Sequence, residues 1–135
     1  MADLRSVLLI DNDPAHAEVF REALLIANDG PFQGEYAKTL SQGVERLRQK
    51  GIWAIFANLS LPDSQGLDTF RKLLKAAPDV PTLVLGGLED EGIATEALRQ
   101  GAKDYLLEGH IDAYSFARAI RYMACLLYTS PSPRD

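Results

Sequence analysis

Four short apolar runs in this sequence each end on residues that could do chemistry. Residues 7–10 run into Asp11-Asn12-Asp13, two carboxylates with an amide between them. Hard divalent cations take oxygen ligands, so this is a candidate cation site. A local reading competes with it: Asp13-Pro14 is a good helix start, and Asp11 would then simply end a strand. Residues 52–57 run into Asn58. Its amide can hydrogen-bond but cannot accept a phosphoryl group the way a carboxylate does, so a polar strand terminus is the plainer account. Residues 82–85 run into Gly86-Gly87, where backbone could approach a ligand, although a turn is the simpler account. Residues 105–107 run into Glu108, which adds a carboxylate to the same edge or is a solvated surface acid.

His16 and His110 have no Cys or His partners at ligand spacing and read as surface or capping residues. Ser60 and Ser64 lack a His–Asp arrangement, which leaves nucleophilic hydrolysis without support.

The elements that position these residues follow from periodicity. Apolar runs of three to six residues without alternation fit strands buried on both faces of a parallel sheet, with residues 32–38 a weaker edge strand. Helical stripes lie between them. Val19, Phe20, Ala23, Leu24 and Ala27 form one face behind Asp13 as N-cap. Thr39 and Gln42 have capping-box spacing ahead of Val44 and Leu47. Leu67, Phe70, Leu73, Leu74 and Ala77 form a third stripe, ending before Pro78. Ile93, Ala94, Ala97 and Leu98 form a fourth, stopped by Gly101. Ala113, Phe116, Ala117 and Ile120 form a fifth. Five strand-then-helix repeats with right-handed crossovers give a doubly wound α/β sandwich, whose ligands bind outside the carboxyl ends of the strands.

Composition narrows the partners. The chain has 135 residues, enough for one core, and 47% of them are hydrophobic, too many for a disordered chain. A formal net charge of -5 argues against direct nucleic-acid binding. One cysteine excludes an internal disulfide framework, and with two histidines it leaves no zinc cluster. No apolar stretch is long enough for a bilayer span, and residues 7–10 are too short for a signal peptide's core. A reduced cytoplasmic setting is expected. The last eleven residues, CLLYTSPSPRD, resemble the translation of a sequencing adapter. The expected division is a domain over 1–124, cut from a longer protein, and a non-native tail over 125–135. The helical apolar pattern is expected to stop at Met123.

Together, VLLIDNDPAH, LSLPDSQGL, PTLVLGG and ALRQGAKDYLLEG make the chain resemble a response-regulator receiver domain of the chemotaxis-receiver type, over about residues 6–123. The resemblance implies a flavodoxin-like (βα)5 sheet of order 2-1-3-4-5 and a role in bacterial two-component signalling. It also implies positions for the working parts. The magnesium-binding acid pair falls on Asp11 and Asn12, and the phospho-accepting aspartate on Asn58. The hydroxyl residue falls on Gly86, the lysine on Glu108, and the aromatic switch residue on Tyr105. Four of these five positions have departed from the family's chemistry. Mg2+, held by Asp11 with Asn12, Asn58 and the Ser60 backbone, is therefore expected to be weak or lost. The amides of Asn12 and Asn58 are expected to donate to Asp11 and Glu108 instead.

The leading expectation is a degenerate receiver that is not an enzyme, has no resident cofactor, and acts through protein contacts over about residues 90–123, as a homodimer or with an attached output domain. A working receiver that uses another acceptor, Asp63 or Asp11, is the second expectation. A nucleotide- or flavin-binding enzyme is the third, disfavoured because the acidic DNDP loop would repel a phosphate.

Overall fold

The computed structural model describes residues 5–27 and 32–129; of Leu88, His110 and residues 124–129 the backbone alone is described. The apolar runs are strands: β1 Arg5–Ile10, β2 Phe32–Ala37, β3 Ile52–Asn58, β6 Thr82–Gly86 and β7 Tyr105–Leu107. They form one parallel sheet in the order β2-β1-β3-β6-β7. Leaving out a two-residue hairpin, this is the flavodoxin-like order 2-1-3-4-5. The hairpin, β4 Ser60–Leu61 against β5 Ser64–Gln65, has no periodicity to announce it.

Helices α1 Pro14–Ile26 and α5 Ala113–Thr129 cover one face of the sheet, while α2 Leu40–Arg48, α3 Leu67–Ala76 and α4 Glu91–Gln100 cover the other. Alternate residues of each central strand serve the two layers. Val7 and Leu9 face Phe20, Phe56, Phe116 and Ile120; Leu8 and Ile10 face Leu40, Leu47 and Leu73. Both faces are dry, which is why these strands read as unbroken apolar runs.

Helix ends follow the sequence closely. Asp13 caps α1 by accepting from Ala15 N at 2.9 Å, with Pro14 in the first turn. Thr39 caps α2 by accepting from Gln42 N at 3.1 Å. Gln42 reaches back to Lys38 N at 2.9 Å, one residue beyond the N-cap N–H that the standard box uses. Gly101 ends α4 at φ 128°, a region costly for any side chain.

One expectation fails. The apolar pattern predicts a stop at Met123, yet α5 continues to Thr129. No glycine or proline interrupts residues 124–129, and leucines 126 and 127 have good helix propensity. The expected boundary between 124 and 125 falls where side chains, and then residues 130–135, lie outside the described part of the chain.

Candidate functional site

The carboxyl ends of β1, β3, β6 and β7 open into one cleft. Asp11, Asn12, Asp13, Asn58, Ser60 and Glu108 line it, together with Glu89 and Asp90 from the turn after β6. Five carboxylates therefore share the cleft, and among the described lining residues no lysine or arginine offsets them. An anion entering it would meet like charge.

The centre is a hydrogen-bonded network around Asp11 and Asn58, which are 2% and 3% exposed. Asp11 Oδ1 accepts from Asp13 N at 3.0 Å. Asp11 Oδ2 lies 2.6 Å from His16 Nδ1 and accepts from Asn58 Nδ2 at 3.3 Å. The same Nδ2 donates to Glu108 Oε2 at 2.8 Å, while Asn58 Oδ1 accepts from Ser60 N at 2.8 Å. A carboxylate is acceptor-only, so Nδ1 of His16 carries a proton toward Asp11.

Sequence reasoning expected the Asn58 amide to donate to both acids, and it does. It expected the same of Asn12; among the described residues the exposed Asn12 side chain makes no hydrogen bond. The strand's alternation explains the difference: Asn58 ends a central strand inside the cleft, whereas Asn12 lies in the open turn before α1. His16 is the clearest correction. It was expected at the surface or as a cap, but its side chain is only 13% exposed and packs against Asp11. The signal was available, because a helix starting at Pro14 places residue 16 within its first turn, beside the end of β1. Glu89 and Asp90 were also missed, since a turn after two glycines has no periodic pattern.

The family resemblance puts Gly86 at the position of a hydroxyl residue. A Cβ there would come within 3.1 Å of Asp90 Oδ2 and 3.2 Å of Asp90 Cβ. Asp90 occupies that space and accepts from Gly87 N at 3.1 Å. Gly87 also accepts from the Tyr105 hydroxyl at 2.6 Å and opens the turn, whereas Gly86, read with it as a turn residue, is the last residue of β6 and pairs with Leu107. Burial pushes the Tyr105 hydroxyl's pKa above its ordinary value, and the nearby carboxylates Asp90, Glu91, Glu89 and Glu108 push the same way. Tyr105 thus stays a donor across the neutral range.

Ser64 Oγ lies 2.8 Å from Thr69 Oγ1 in the interior, a structural pairing rather than an exposed nucleophile. Asp63 turns away from the cleft to the start of α2, accepting from Leu40 N at 2.8 Å and Ser41 N at 3.0 Å. Those two bonds occupy both its oxygens. They hold its pKa below the ordinary carboxylate value, the Ser41 backbone N–H most of all. Asp63→Ala is expected to cost about 1 kcal/mol, like the loss of a good helix cap. A depressed folded pKa means this contribution is present above the unfolded value and lost as pH falls through the folded one. Thermal unfolding of both proteins across the acid range checks this; a constant gap down to the lowest pH would refute it.

The family resemblance implies a magnesium ion at Asp11, Asn12 and Asn58, and the donor set does not fit one. Both Asp11 oxygens are engaged, and Asn58 turns its N–H groups, not its oxygen, toward the acids. Among the described residues no three His, Cys, Asp or Glu side chains form a metal-holding group.

A family model described as the response regulator receiver domain matches residues 7–109. The chain belongs to that family. Among curated relatives, the receiver domain is 33% identical over 102 residues to the photosynthetic apparatus regulatory protein RegA of Rhodobacter capsulatus, covering 76% of this chain and 54% of RegA. It is 26% identical over 102 residues to the transcriptional regulatory protein ZraR of Klebsiella oxytoca, covering 76% of this chain but 22% of ZraR. The chain therefore spans from about a fifth to about half of these relatives. A response regulator receiver domain from Clostridium thermocellum superimposes with a TM-score of 0.80 at 20% identity, covering 93% of this chain and 98% of that one. Among the described residues, no helix of the receiver domain is long and apolar enough to cross a membrane.

Proposed function

We propose that this receiver domain serves two-component signalling as a protein-interaction module that does not take up phosphoryl groups. One observation carries the reading. The residue at the end of β3 is Asn58, and its amide is turned with the nitrogen toward two carboxylates. Phosphoryl transfer needs a nucleophilic oxygen and nearby positive charge to meet the charge that develops. Here the nearest charged groups are Asp11 and Glu108, both negative.

On this reading the domain works in the cytoplasm as a signalling module rather than an enzyme, through its contacts over about residues 90–123. Leu98, Tyr114 and Tyr122 are the exposed large apolar side chains of that region. RegA and ZraR are named as regulators and extend beyond the matched portion, which supports an attached output domain joined through α5. A homodimer over the same region is the alternative assembly.

Intact mass after incubation with acetyl phosphate and Mg2+ tests the reading. The expected result is an unchanged mass. A stable gain of one phosphoryl group would overturn it, and peptide mapping would then identify Asp11, Asp63 or another acceptor.

A further inference from the structure

We propose that the Asn58 amide takes the place of a cation in this cleft, bridging Asp11 to Glu108, fixing the turn after β7 in one position, and leaving no site for Mg2+. This deepens the functional reading above and rests on it.

Two carboxylates from distant parts of the chain approach one point, and something with positive character must lie between them. Among the described residues no lysine or arginine lines the cleft. His16 reaches Asp11 at 2.6 Å and Asp13 at 3.7 Å, both on the β1 side of the cleft, and does not bridge to Glu108. The Asn58 NH2 touches both acids, at 3.3 and 2.8 Å, and an amide nitrogen has two hydrogens to give. Its orientation is over-determined. Reversing the amide would face its oxygen toward both carboxylates and its N–H groups toward the N–H of Ser60, which now donates to it at 2.8 Å. All three contacts favour one orientation.

Backbone pairing keeps Asn58 from swinging away. Asn58 pairs with Leu85 in the β3–β6 ladder, and Leu59 N donates to Leu85 O at 2.9 Å. Glu108 opens the short 3-10 turn Glu108–His110, which leads from β7 into α5. The bridge thus ties a buried central strand to the segment that enters α5. Mg2+ requires near-ideal octahedral oxygen coordination and gives up its water reluctantly. It would find Asp11 engaged on both oxygens and hydrogens where Asn58 would have to offer an oxygen.

Two measurements on the full chain test the bridge. Thermal unfolding in MgCl2 up to roughly 10 mM is compared with NaCl of equal ionic strength, because ligand binding to the native state raises the melting temperature. No Mg2+-specific rise is expected; a clear one overturns the proposal. Amide hydrogen exchange is then followed in Glu108→Ala, whose altered side chain is exposed in the native protein. Exchange over residues 107–111 is expected to accelerate about tenfold. Glu108→Gln keeps an acceptor oxygen and is expected to exchange like the native protein. Unchanged exchange in E108A, or equally fast exchange in E108Q, overturns the bridge. The phosphoryl reading fails separately: a protein that binds Mg2+ yet keeps its unmodified mass retains that reading and loses the bridge.

Discussion

Asn58→Asp is expected to lower the melting temperature near neutral pH by roughly 10 °C, a loss of about 3 kcal/mol for a domain of this size. The native side chain gives hydrogens to Asp11 Oδ2 and Glu108 Oε2. The replacement deletes both bonds and puts a third carboxylate where the amide nitrogen stood. At an effective dielectric of ~20, repulsion from Asp11 alone is about 4 kcal/mol for charges ~4 Å apart. Proton uptake by the introduced carboxyl limits the cost to less than the full Coulomb repulsion, because the crowded group can become neutral instead.

The sign with pH is fixed. The introduced carboxyl is surrounded by like charge only in the folded state, so the folded variant binds the extra proton. The penalty is small below the unfolded carboxylate range and grows as pH rises through the folded value. Three converging carboxylates offer a divalent cation oxygen ligands, so millimolar Mg2+ is expected to restore part of the loss in the variant and none in the native protein. Scanning calorimetry at several pH values, with and without Mg2+, checks all three statements. A variant as stable as the native protein near neutral pH without divalent cation would show that the cleft's charges do not couple through residue 58.

The second large effect concerns the layer that holds the cleft's floor. Phe116 of α5 is fully buried, with its ring centroid 5.7 Å from that of Phe20 on α1 and 5.2 Å from that of Phe56 on β3. Phe116→Ala is expected to cost about 3–5 kcal/mol, from lost transfer energy plus the cavity left among rings that cannot all collapse inward. That is a large part of an ordinary domain's stability. In urea the midpoint is expected to fall by roughly 2 M with an unchanged slope. Trp53, which packs on Phe32 at 5.4 Å, supplies the fluorescence signal. A cost under about 1 kcal/mol would mean that α5 is not held to the sheet by this cluster.

Much of the architecture was legible because its causes are local or periodic. Residues 7–10, 52–57 and 82–85 read as buried strands, since both faces of a parallel sheet are covered and apolar side chains dominate on either side. Asp13-Pro14, Thr39 and Gly101 marked helix ends because the backbone groups exposed there demand those side chains. The GAKDYLLEG and IDNDPAH segments carried the family resemblance, and the match over residues 7–109 agrees with it. The β4–β5 hairpin was not legible, because two-residue strands are too short to show alternation. Nor was the continuation of α5 beyond Met123, where helix propensity outlasted the amphipathic pattern.

The cleft divides along the same line. Residue type alone decided that Asn58 carries an amide and Glu108 a negative charge, since neither chemistry depends on its surroundings. Folding decided how those groups meet. It set the direction in which the Asn58 amide is turned, brought His16 against Asp11, put Asp90 into the space beside Gly86, and sent Asp63 to cap α2 instead of facing the cleft. Each of these depends on contacts with residues whose positions the sheet and its turns supply, and hydrogen-bond direction is settled only when every neighbouring donor and acceptor is in place.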